Sequence, residues 1–167
     1  MTAAPVAFVE ALPSDPIAHR LLSDYFTSRE LGFTGAGGYT IVHPGDAQFT
    51  PPRGVFLVVE ADGVPVGCGG IRAIDAGDAG AVLFEVKHLW VAGTARGTGL
   101  GGALLQELEA RAIGFGATHA VLDTNASLVA AAGLYRSHGY TSIEPYNDNP
   151  NATNWYGKAL SGRAETQ

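Results

Sequence analysis

The stretch GVFLVVEADGVPVGCGGIRAI, Gly54 to Ile74, constrains the fold more than any other part of the chain. Two β-branched apolar runs flank the short polar segment ADGVP, which leaves no length for a helix and predicts an antiparallel hairpin. After the polar DAGDAG comes AVLFEVKHLWV, Ala81–Val91, a long third strand. A clear helix pattern follows in TGLGGALLQELEARAIGFG, where Leu100, Leu104 and Leu108 recur every four residues and Leu105 and Ala112 widen the stripe. HAVLDTN then predicts a buried strand, ASLVAAAGLYRSHG a helix ending at Gly139, and TSIEPY and NWYGKAL two closing strands around the polar NDNPNAT. Upstream, Val6–Leu12 predicts a short strand. SDPIAHRLLSDYFTSRELGF predicts a helix capped by Ser14 or Asp15, and Gly32–Pro52 a loop region with one helical turn near PGDAQF. The order predicts an α/β (α+β) architecture, a mixed and mostly antiparallel central sheet flanked by helices.

The 167 residues fit one domain, with an N-terminal strand and helical region over 1–54, a core over 55–160 and a frayed tail over 161–167. A formal net charge of −6 argues against a nucleic-acid partner, which needs a basic footprint. No run of apolar residues reaches membrane-span length and the N-terminus lacks a signal-peptide pattern, so a cytoplasmic protein without a membrane partner is expected. Cys68 is the single cysteine, so an intramolecular disulfide is impossible; a small buried strand residue is expected there rather than a nucleophile. His19, His43, His119 and His138 show no ligand spacing with one another or with Cys68, and no metal is expected.

Between the third strand and the helix lies ARGTGLGGALL, Ala95–Leu105. Each interior glycine costs a helix about 1 kcal/mol relative to alanine. Gly97, Gly99 and Gly102 match G-x-G-x-x-G, and Asp123 follows 21 residues after Gly102, the pattern of an NAD-binding oxidoreductase. The antiparallel strands ahead of it and the 65 residues that remain after it speak against that domain. A P-loop lacks its Lys-Ser/Thr. What survives is physical: bare first-turn N–H groups beside Arg96 suit a phosphate or pyrophosphate. Close packing of a glycine-faced helix on the sheet is the structural alternative.

FEVKHLWVAGTARGTGLGGALLQELEARA resembles the acetyl-coenzyme A signature of the GNAT superfamily of N-acetyltransferases, Arg/Gln-x-x-Gly-x-Gly/Ala, at Arg96, Gly99 and Gly101. AAGLYRSHGY resembles the same superfamily's Leu-Tyr-x-x-x-Gly-Tyr/Phe element at Leu134, Tyr135, Gly139 and Tyr140. The resemblance spans about Pro52 to Leu160 and implies the acyl-CoA N-acyltransferase fold, with acetyl-CoA as cosubstrate and no metal. It implies a pyrophosphate held by backbone N–H groups of Arg96, Gly97, Thr98, Gly99, Leu100 and Gly101. It also implies a bulge that splays the preceding strand, freeing Leu89 and Val91 to pair with the pantetheine arm.

Similar enzymes use the tyrosine at Tyr135 as the general acid that protonates the leaving sulfur; the alternative is a ring packed on the sheet with its hydroxyl satisfied. Glu85 interrupts an apolar strand, and the resemblance makes it a base or an ammonium contact, against a solvent-facing strand position. His88 competes as base, although strict alternation puts it on the face opposite Glu85 unless the bulge breaks parity. Relatives place an Asn seven residues before the tyrosine, where this chain has Leu128. Asn125 is expected to cap the helix, with cofactor contact as a second reading.

The resemblance implies an N-acetyltransferase acting on a primary amine of a small-molecule substrate, an amino acid among the options, by direct ternary-complex transfer. YFTSRELGFTGAGGY and IEPYNDNPNATNW are the expected acceptor regions, with Arg29 or Arg53 for a carboxylate and Glu30, Glu144 or Asp148 for an ammonium. The alternatives are a non-catalytic acyl-CoA-binding or sensing module and a protein N-terminal or lysine acetyltransferase. A homodimer is compatible with the sequence.

Overall fold

The computed structural model describes residues 5–32, 41–75, 80–126 and 128–161. Strands β1 (Val6–Ala11), β2 (Gly54–Ala61), β3 (Val64–Ile74), β4 (Leu83–Val91), β5 (His119–Thr124), β6 (Thr141–Ser142) and β7 (Asn154–Ala159) form one sheet. Its order is β1-β2-β3-β4-β5-β7-β6. Every pair is antiparallel except β4–β5. The expected mixed, mostly antiparallel sheet is present, and a single parallel pair rules out the doubly wound domain of a dinucleotide enzyme.

Helix α1 (Pro16–Gly32) and a 3₁₀ turn at Asp46–Phe49 cover one face; α2 (Leu100–Gly114) and α3 (Val129–Ser137) cover the other. Interior strand β2 explains its own composition. Val55, Leu57 and Val59 pack toward the α2 side while Phe56 and Val58 pack toward α1, so a strand buried on both faces reads as a continuous apolar run. The α2 stripe of Leu100, Leu104, Leu105, Leu108 and Ala112 seats on the first of these faces.

Three local expectations are corrected. Ser14 and Asp15 do not cap α1 through their side chains: the Ser14 hydroxyl donates to Asp46 and the Asp15 carboxylate accepts from the Leu12 N–H. Asn125 does not cap α3 either. The N-cap is Leu128, without a side-chain bond, and Asn125 Nδ2 donates to the Asn151 carbonyl at 3.0 Å. TSIEPY keeps only the two residues of β6, because after the Ile143 N–H has bonded to Trp155, Pro145 has no N–H to extend the ladder. The tail over 162–167 lies outside the described residues.

Glu109 ties α2 to the far edge of the sheet. It is 7% exposed, accepts from the Tyr140 hydroxyl at 2.8 Å and pairs with Lys158 Nζ at 2.9 Å. Burial, then the Glu109 charge and hydrogen bond, push the Tyr140 phenol well above its ordinary pKa, so it stays a donor. Glu109→Ala removes the acceptor for both and is expected to lower stability by about 2 kcal/mol. A shifted denaturant midpoint at unchanged slope measures it.

Candidate active site

The site is made by two strands that part. β4 and β5 pair only at Leu83–His119, Phe84–Ala120 and Glu85–Val121, then run on to Val91 and Thr124 without each other. On its other side β4 carries a bulge: from Gly70–Lys87 to Cys68–Trp90, β3 advances two residues and β4 three. His88 occupies the extra position with φ 60°, outside the usual range for a non-glycine residue. Its carbonyl accepts from the Cys68 thiol at 3.6 Å. Cys68 itself is fully buried and its thiol pKa is pushed up by burial, so it is a packing residue.

The implied bulge is present and breaks strict alternation, which changes the face of His88. Phe84, Val86 and Leu89 face α2, whereas the His88 ring meets Tyr25, Phe26 and Phe49 on the α1 side. Arg72 and Gln48, the partners of Glu85's network, lie on that side too, so Glu85 and His88 share a face. Burial first, then the positive charges of Lys87, Arg72 and Arg29, lower the His88 pKa to about 3. A neutral imidazole with so little basicity is a poor proton acceptor at neutral pH.

Past the bulge, Ala92 N–H bonds to Val66 in β3. Strand alternation then turns the backbone groups of Val91 and Leu89 toward the parted side. Arg96 Nε donates to the Val91 carbonyl at 3.0 Å. The turn that follows is built for an anion. Gly97 and Gly99 take φ of 79° and 83°, conformations that a side chain would strain. Helical bonding begins with Ala103 N–H to Gly99, which leaves the N–H groups of Leu100, Gly101 and Gly102 without helical acceptors. Only Gly102 serves packing: a Cβ there would stand 2.8 Å from the His138 ring, at the end of α3 and not on the sheet as the packing alternative had it.

A cavity of about 370 Å³ opens where the strands part, with Tyr135, His88, Leu89, Asp123, Asn125 and Arg72 in its wall. The Tyr135 ring packs in the core beside Tyr140 and Tyr156, 5% exposed, yet its hydroxyl has no hydrogen-bond partner among the described residues. Burial raises its pKa to about 12, Tyr25 and Asp123 adding and Arg29 opposing. Tyr135 thus stays a proton donor across the neutral and mildly alkaline range.

Glu85 is not solvent-facing. It is 1% exposed and does not line the cavity. Arg72 Nε and Nη2 donate to its Oε1 at 3.1 and 2.8 Å, and the Tyr146 hydroxyl and Asn147 Nδ2 approach Oε2 at 2.8 and 3.5 Å. Arg72 also holds Gln48. Of the expected acceptor residues, Arg29 lines the cavity with its guanidinium over Tyr25, while Arg53, Glu144 and Asp148 do not line it. The Glu30 side chain lies outside the described residues. Sequence reading gave Arg72 no role, met Asp123 only through the dinucleotide spacing, and named the region of Asn147 and Asn149 without singling out either residue. Only Arg72 left a local signal, as the cross-strand neighbour of Glu85.

A parallel pair splays above a glycine turn, and Tyr135 stands in the wall of the gap. The profile of the acetyltransferase (GNAT) domain family matches residues 52–142, and the chain belongs to that family. An N-acetyltransferase of Schizosaccharomyces pombe is 34% identical over 104 residues, 62% of this chain and 61% of that protein, so the chain spans only part of this relative's length. The Escherichia coli N-acetyltransferase YjgM is 30% identical over 139 residues, 80% of each chain. Among solved structures, a GNAT family acetyltransferase from Elizabethkingia anophelis with acetyl-CoA bound superposes with a TM-score of 0.62 at 16% identity, covering 93% of this chain and 98% of that one. This last likeness is one of fold.

His88 carries a test of the buried site. Its folded-state pKa near 3 lies below the ordinary 6.5, so the unfolded chain binds the extra proton between these values. Stability therefore rises with pH through that window, and the His88 contribution is complete above it. His88→Asn, which suits a left-handed backbone, is expected to flatten the rise in stability between about pH 4 and 7. Denaturation curves at each pH measure the slope.

Proposed function

We propose that this protein transfers the acetyl group of acetyl-CoA to the primary amine of a small molecule, directly within a ternary complex. The observation that carries the reading is the Tyr135 hydroxyl, unpartnered among the described residues, in the cavity between the parted strands. The residues present fit the cosubstrate. Backbone N–H groups from Arg96 to Gly101 would hold the pyrophosphate, with Thr98 steadied by its hydroxyl bond to Ala95 at 2.5 Å. Leu89 and Val91 would pair with the pantetheine arm, Arg96 then leaving the Val91 carbonyl. Asn125 lies in the cavity wall and would be a contact for the cosubstrate.

When bound, acetyl-CoA supplies an activated acyl carbon and a thiolate leaving group. Tyr135 supplies the proton that sulfur takes as it departs. Glu85 enters as a positioning group, since it does not line the cavity whereas its ion-pair partner Arg72 does. Holding both reactants in one narrow cleft lowers the entropic part of the barrier.

Thiol release from acetyl-CoA across a panel of amines tests the activity; no turnover with any amine, despite acetyl-CoA binding, would instead support the sensing module. Tyr135→Phe is expected to cut kcat roughly 100-fold while acetyl-CoA affinity holds. Because the phenol titrates at about 12, the wild-type rate should climb as the amine loses its proton and show no falling limb up to about pH 10. Gly99→Ala strains the turn at φ 83° and should weaken acetyl-CoA binding about tenfold, read by calorimetry.

A further inference from the structure

Glu85 and Val121 are the last residues to pair between β4 and β5. Two positions further on, with side chains on the same face, stand Lys87 and Asp123. In an unbroken ladder they would face each other as an ion pair. Here the strands have parted, both residues line the cavity, and no salt bridge joins them. The Lys87 side chain makes no hydrogen bond or ion pair among the described residues. Asp123 is the only carboxylate in the cavity wall among the described residues.

Asp123 is held without being neutralised. Asn147 Nδ2 donates to its Oδ2 at 2.7 Å and Asn149 Nδ2 to its Oδ1 at 3.1 Å. Both are neutral amides from the loop before β7. A carboxylate has about four acceptor sites, so each oxygen keeps capacity for a further donor. Arg72, also in the cavity wall, is already matched by Glu85. Arg29, placed over Tyr25, adds positive charge at the same cavity.

We propose that the acceptor is an amino-acid-like zwitterion that spans this cleft, its ammonium on Asp123 and its carboxylate on Lys87. This rests on the acetyltransferase reading above and names the substrate class of that site. The charge separation made by the parting strands is the receptor. During transfer the ammonium gives one proton to the Asp123 carboxylate, which passes it to solvent. The nitrogen lone pair forms the N–C bond, the nitrogen gives its second proton to solvent as the adduct collapses, the C–S bond breaks, and the sulfur takes the Tyr135 proton, which solvent restores. One ammonium and one thioester become one amide, one thiol and one released proton.

The test uses the full chain with acetyl-CoA and a panel of free amino acids, each beside its decarboxylated amine and its deaminated acid. The best acceptor should be a zwitterion, at least about tenfold better in kcat/KM than its decarboxylated partner. Asp123→Asn should lower kcat/KM for that acceptor at least about tenfold. Lys87→Met should raise KM for it while leaving the decarboxylated amine within about twofold, and both variants should bind acetyl-CoA like the parent by calorimetry. Decarboxylated amines acetylated as well as their zwitterions would overturn the proposal while leaving the acetyltransferase reading intact. So would Asp123→Asn leaving kcat/KM for the best acceptor unchanged, Lys87→Met affecting the decarboxylated amine as much as the zwitterion, or either variant losing acetyl-CoA binding in step with activity. Acetyl-CoA bound with no amine of any class acetylated would overturn both.

Discussion

Everything at the site depends on one extra residue in β4. A strand whose ladders continued on both sides would spend every backbone N–H and carbonyl on its neighbours. The bulge at His88 keeps the β3 ladder on one side and coincides with the end of pairing on the other. Its left-handed backbone, unusual for a residue with a Cβ, costs on the order of 1–2 kcal/mol. That cost is offset locally: the ring is packed among Tyr25, Phe26 and Phe49, and the carbonyl is met by Cys68. The same shift seats Leu89 against α2, so the strand enters the glycine turn already anchored.

The fold was legible where signals are local. The hairpin of β2 and β3 announced itself through two apolar runs around a turn, and α2 through its leucine period. Glycines 97 and 99 were legible because a run so poor in helix propensity demands a backbone explanation, and positive φ supplies it. His88 shows where such reading stops. Strict alternation placed it opposite Glu85, and only the cross-strand register reveals the added residue that reverses its face.

The asparagine loop shows a second limit. Asn147 and Asn149 reach Asp123 and Glu85 across 24 to 62 residues of sequence, and they do so because β7 inserts beside β5 in the sheet order. Nothing in NDNPNAT states that order. Glu85 did leave a mark, as a charge in an apolar strand, but a buried carboxylate and an exposed one interrupt the pattern alike. Its burial follows from Arg72 in the next strand and Tyr146 from the loop, partners set by topology.

The choice of neutral donors around Asp123 has a physical logic of its own. A lysine or arginine in place of Asn147 or Asn149 would satisfy the carboxylate and cancel its field in the cavity. Amides satisfy it and leave the field. Their orientation is fixed as well: Asn147 Oδ1 accepts from Trp155 Nε1 at 2.9 Å and from the Asn149 N–H at 3.2 Å, which commits its Nδ2 to the carboxylates. Asn149 Oδ1 accepts from the Asn151 N–H at 3.0 Å with the same effect. On the other strand, Glu85 cancels Arg72 but stands behind it, out of the cavity. The parted strands thus present one uncompensated charge of each sign at the cavity.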